Sequence, residues 1–144
     1  MRSKKVLLTL ALMLLIASGL GLYLFGGPNH FVEVPLPQQS LAHLRSTAGN
    51  ASWRALPSDT AFEYLYWWPQ IDRPNRNKME VAVAYRSASE VVVTIIDNDT
   101  QDDSVFRTCD RITMHLEGDI WLPARHQRAQ QGRGHIGWTT EPTL

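Results

Sequence analysis

The chain has 144 residues, 44% of them hydrophobic and 19% charged, with 14 basic side chains balancing 14 acidic ones and a single cysteine, Cys109. That is enough for one modest domain, and a lone thiol excludes an intrachain disulfide as well as lipid attachment to a cysteine near the N-terminus. Setting aside Arg2, Lys4 and Lys5 leaves 11 basic residues against 14 acidic, a net of −3, so the chain beyond them lacks the clustered positive charge that nucleic acid requires, and none is expected as a partner.

Behind that basic cluster, residues 6–25 carry no charge. As a helix they would span roughly 30 Å, the thickness of a bilayer's hydrocarbon core, which predicts a transmembrane helix. The alternative is a cleavable signal peptide with its apolar core over 6–16 and Ala17-Ser18-Gly19 as the small-residue site; the further apolar residues 20–25 favour the uncleaved anchor. The positive cluster retains the N-terminus in the cytoplasm. The expected placement is therefore a single-pass protein of the inner membrane with its bulk extracytoplasmic, in contact with the membrane through this helix.

Gly26-Gly27-Pro28 closes the segment, and Val34-Pro35-Leu36-Pro37 restricts the backbone to extended geometry. Residues 1–27 thus read as stub and anchor, 28–52 as a spacer, and 53–144 as the folded domain. Within the spacer, Leu41 and Leu44 share one side of a short helix that Ser40 would cap and Gly49 would end. A better-marked helix follows Pro57, with Ser58 or Asp59 as cap, Glu63 in the early turns, and Ala61, Phe62, Leu65 and Tyr66 as its apolar surface; Pro69 requires it to end by Trp68.

Residues 79–129 carry repeated strand periodicity. Met79, Val81, Val83 and Tyr85 alternate with Glu80, Ala82, Ala84 and Arg86, predicting a drier and a wetter face. After a polar turn over 87–89, residues 90–96 are almost continuously apolar, as in a strand covered on both faces. The run Asp97 to Asp103 reads as a reversing loop. Ile112, Met114 and Leu116 then oppose Arg107, Arg111, Thr113 and His115; Asp110 and Thr108 fit the dry face poorly, which suggests a bulge near Cys109. Glu117-Gly118-Asp119 is a tight hairpin into residues 120–129, where Pro123 requires an edge or a bulge. The expected class is α+β: an N-terminal transmembrane helix, then one helix on a four-stranded antiparallel meander, of cystatin-like or nuclear-transport-factor-like shape.

No cofactor or metal is expected. Asp97, Asp99, Asp102 and Asp103 fail the EF-hand spacing, and His115, His126 and His135 are too scattered for a zinc site. Ser104 has no nucleophile elbow around it. The candidate binding residues are aromatic or lie in the glycine-rich turn. Trp67 and Trp68 offer stacking surfaces to a ligand or partner, while Gln131-Gly132-Arg133-Gly134-His135 turns sharply and presents Arg133 and His135.

Asp102-Asp103-Ser104-Val105, the hairpin leading to Trp121, Gly132-Arg133-Gly134-His135 and Thr140-Glu141-Pro142 together resemble the C-terminal half of a group of small bacterial secreted or membrane-anchored proteins of uncharacterised role. The resemblance covers roughly the last 50 residues. In that group a cysteine precedes the Gly-Arg-Gly-His turn and another closes the chain; Ala129 and Thr143 stand at those positions here, so the pair is absent. The resemblance implies an address and an architecture, with no activity attached. The functional expectation is an extracytoplasmic accessory or interaction domain with a protein partner in or at the membrane. The alternative is a small-ligand-binding or enzymatic domain with a pocket between helix and curved sheet.

Overall fold

Each stretch of strand periodicity becomes a strand. β2 (Met79–Tyr85), β3 (Glu90–Asp97), β4 (Val105–Glu117) and β5 (Ile120–Gly132) follow one another as an antiparallel meander. The computed structural model describes residues 30–47, 49, 51–68, 76–98, 100, 105–132 and 138. A short strand, β1 (Val32–Val34), pairs antiparallel with β5, giving the order β1-β5-β4-β3-β2.

The four-stranded expectation is therefore corrected to a mostly-sheet domain of five strands carrying two helices, α1 (Gln38–Thr47) and α2 (Pro57–Tyr66). The segment read as a spacer supplies the difference. Its Pro35 and Pro37 occupy no ladder position; they separate a strand, whose register sets Val34 against His126, from a helix that buries Leu41 and Leu44. The transmembrane helix, and the single-pass inner-membrane placement that rested on it, also do not stand. Among the described residues no helix is long and apolar enough to cross a membrane, and residues 6–25 lie outside them.

The helices start differently from their expected caps. α1 begins at Gln38, directly after Pro37, whose carbonyl accepts from the Ser40 and Leu41 amides. Ser40 is buried inside it, and its hydroxyl donates to the Trp67 carbonyl at 2.9 Å instead of capping. α2 begins at Pro57 itself, a position that a missing amide suits, with Leu56 as an extended N-cap residue and no side-chain cap. Thr60 bonds back to the Trp53 and Leu56 carbonyls, tying α2 to the 3-10 turn Ser52–Ala55.

Residues opposite one another in a ladder share a face, so the register sorts the sheet. Val91, Val93 and Ile95 of β3, Ile112 and Met114 of β4 and His126 of β5 lie on one side. There they pack with Leu44 of α1, with Ala61, Phe62, Tyr64 and Leu65 of α2, and with Trp68. Each such aliphatic side chain contributes about 1.5–3 kcal/mol on leaving water. The other side mixes buried Val92, Cys109 and Ala129 with polar side chains: Arg125 and Gln127 bond to Glu33, and Arg107 reaches Gln131. Arg107 also lies over the Trp138 ring, so the chain returns to the sheet after β5.

Pro123 is accommodated by a bulge. The β4–β5 register slips between Thr113 and Met114, with a second slip between Val105 and Arg107 rather than at Cys109. The hairpin at Gly118 needs φ +66, the left-handed region that glycine enters without steric cost.

Candidate functional site

Asp110 follows the parity of Ile112 and Met114 onto the helix-bearing face, where an isolated carboxylate would be costly to bury. Register supplies its partners. Asp110 stands directly opposite Arg128, whose Nε and Nη2 donate to its two oxygens at 2.8 and 2.9 Å. His126 lies 2.7 Å away through Nε2, and its Nδ1 is 3.1 Å from the Tyr64 hydroxyl on α2. The tautomer with hydrogen on Nε2 donates to Asp110 and accepts from Tyr64, which satisfies the whole chain of bonds.

The Arg128 guanidinium rests over Trp68 at 4.7 Å, and the Trp68 and His126 rings meet edge to face at 4.5 Å. Burial pushes the Asp110 carboxyl up, but the Arg128 charge and the hydrogen bonds from His126 and Arg128 outweigh it, leaving it below the ordinary aspartate range. Burial and then the Asp110 charge raise the Tyr64 phenol, so the hydroxyl retains its proton and donates. Tyr64, His126 and Asp110 are all shut from water. The cluster ties α2 to β4 and β5, and only Arg128 among its members retains exposure.

Trp67, one residue before Trp68, faces the opposite way and is 46% exposed. His43 of α1 stacks on it at 4.1 Å. Glu63 joins the pair, its Oε1 accepting from the Trp67 indole at 2.9 Å and lying 3.0 Å from His43 Nε2. Beside them is an open hollow of about 530 Å³ lined by Gln39, Ala42, His43, Ser46 and Trp67. It offers a flat aromatic wall, without a group of side chains converging on one point.

The third feature is the outer strand. On β3, Val91, Val93 and Ile95 are 0%, 0% and 1% exposed; their direct neighbours on β2, Tyr85, Val83 and Val81, are 62%, 40% and 40% exposed. The helices cover β3 but leave most of β2 bare: Met79 packs against the core, while Val81, Val83 and Tyr85 of the expected dry face are open to solvent. Among the described residues nothing pairs with its outer edge.

Of the four residues singled out from sequence, Trp67 lies at the hollow and Trp68 in the core beside His126, so adjacent positions do not form one surface. Arg133 and His135 lie outside the described residues, as does most of the acidic loop after Asp97. The buried cluster was missed in sequence. Its signal was Asp110 itself, a charge at a core-facing position, which required a cation on a neighbouring strand.

No protein-family model, curated protein or solved structure matches this chain.

Proposed function

We propose that this is an interaction domain that binds a protein partner along the free edge of β2. The observation that carries this reading is the exposure of Val81, Val83 and Tyr85 beside fully buried Val91, Val93 and Ile95. An edge of this kind presents unpaired backbone groups and apolar side chains together, the two requirements for adding a strand from a partner. β2 is lightly protected: no proline, no lysine and no bulge interrupts Met79–Tyr85, and Glu80 is its one charge. What weighs against the ligand-pocket alternative is that the space between α2 and the sheet is taken by Tyr64, Leu65, Trp68, Ile112 and Met114.

A photoreactive residue placed at Val81 in the full chain tests the reading in cells. Discrete protein adducts are expected, and adding Val83→Pro should remove them. Val83 turns its amide outward, as the pairing below shows, so proline there deletes an edge donor without deleting a β2–β3 hydrogen bond. Adducts from the same probe at Trp67 with none at Val81 would overturn it.

A further inference from the structure

From the pattern of the β2 edge we infer that its partner is a second copy of this chain, joined to it antiparallel about a two-fold axis at Val83. This rests on the reading of β2 as the contact edge, and backbone direction sets the possible registers. The Arg86 amide donates to the Glu90 carbonyl, and the Asn98 amide to the Lys78 carbonyl. Even-numbered residues of β2 therefore turn their backbone groups toward β3, and Met79, Val81, Val83 and Tyr85 turn theirs outward. Two copies bond only when odd positions oppose odd positions, which also keeps the helices of both on one side of a continuous sheet.

Among those registers the charges choose. With the axis at Val83, Val81 opposes Tyr85, Ala82 opposes Ala84, and Glu80 opposes Arg86 of the other copy at both ends. Moving the axis to Ala82 sets Lys78 against Arg86. Moving it to Ala84 sets Arg86 against Ala82 and Glu80 against Ala88, leaving both charges unmatched. Like charges directly opposite one another in a ladder are unfavourable and opposite charges favourable.

Glu80 and Arg86 are both exposed, and their present partners, Asn98 and Glu90, leave them on the polar face of the sheet. On the helix-bearing face the same register brings Val81, Val83 and Tyr85 of both copies into one apolar seam. It covers the side chains that α2 leaves bare. A two-fold contact of this kind is self-complementary and closes, so it yields a dimer rather than a filament.

The test uses the purified full-length chain. Sedimentation should show a reversible dimer. Glu80→Arg and Arg86→Glu should each weaken it about tenfold, since each sets like charges at both ends of the ladder. An equimolar mixture of the two variants should restore it, because each mixed pair is again complementary. Mild oxidation should bridge Val83→Cys to itself, the hydrogen-bonded pair holding Cα atoms about 5.5 Å apart. Val81→Cys alone should not bridge, but mixed with Tyr85→Cys it should.

A monomer at all concentrations, equal bridging by Val83→Cys and Val81→Cys, or charge variants that dimerise like the parent would each overturn the inference. Failure here is distinguishable from failure of the broader reading. A monomer whose Val81 probe still captures a different protein removes self-pairing alone, and an adduct within one chain assigns the edge to the chain's own remaining segment. A monomer with no Val81 adduct removes both.

Discussion

Asp110 and His126 sit on neighbouring strands with 2.7 Å between Oδ1 and Nε2, and neither side chain reaches water. Arg128 completes the charge balance on one side and Tyr64 the hydrogen bonding on the other. Asp110→Asn should cost about 3 kcal/mol at neutral pH, toward the low end for breaking a buried pair because Arg128 retains some exposure. The folded Asp110 carboxyl lies below its unfolded value, so its contribution is full above about pH 4 and is lost as pH falls through the lower folded value. Urea titrations should show the gap between parent and Asp110→Asn narrowing below that pH. A gap independent of pH would place the loss in packing.

Trp67 and Trp68 should respond unequally to truncation. Trp68→Ala removes a ring buried against His126, Tyr64 and Arg128 and should cost about 3–5 kcal/mol. Trp67→Ala removes a half-exposed ring and should stay within about 1 kcal/mol. Thermal melts of the two variants decide it, and equal losses would contradict their placement.

Val93 and Val83 face each other across β3 and β2 on the same side of the sheet, yet only Val93 is covered. Val93→Asp should destabilise by about 3–5 kcal/mol, as an unpaired buried charge does. Val83→Asp should shift stability by less than about 1 kcal/mol at concentrations where copies are separate.

Cys109 is fully buried, and burial followed by the Asp110 charge pushes its thiol up to about 12. The thiolate is the reactive form. Native protein should be inert to a thiol reagent at pH 8, and denaturant should release one equivalent. Rapid labelling of the native chain would show that the polar face opens at β4.

Gly118 is the position where φ +66 admits glycine best. An added Cβ there meets open space, so Gly118→Ala should cost only the backbone term, about 1–2 kcal/mol. Melting the variant checks it, and a larger loss would mean that the β4–β5 register shifts with the turn.

The meander was legible along the chain because alternation with period two, a polar turn at 87–89 and a glycine at 118 are local properties. Residues 90–96 declared themselves a covered strand by being apolar at nearly every position. Asp110 was visible as a misfit, but its partners were not. Arg128 lies 18 positions away in sequence and meets Asp110 only because β4 and β5 pair in one particular register. β1 escaped because the prolines that follow it give a short strand the same extended signature as a spacer, whereas α1 was legible from Leu41 and Leu44 and only its start at Gln38 was not. Sequence alone determined the four strands of the meander and which residues carry charge. Tertiary structure decided that α2 covers β3 and leaves most of β2 bare, so the alternation that buries Val93 leaves Val83 in water; burial belongs to what packs above a residue, and periodicity reports only which side it faces.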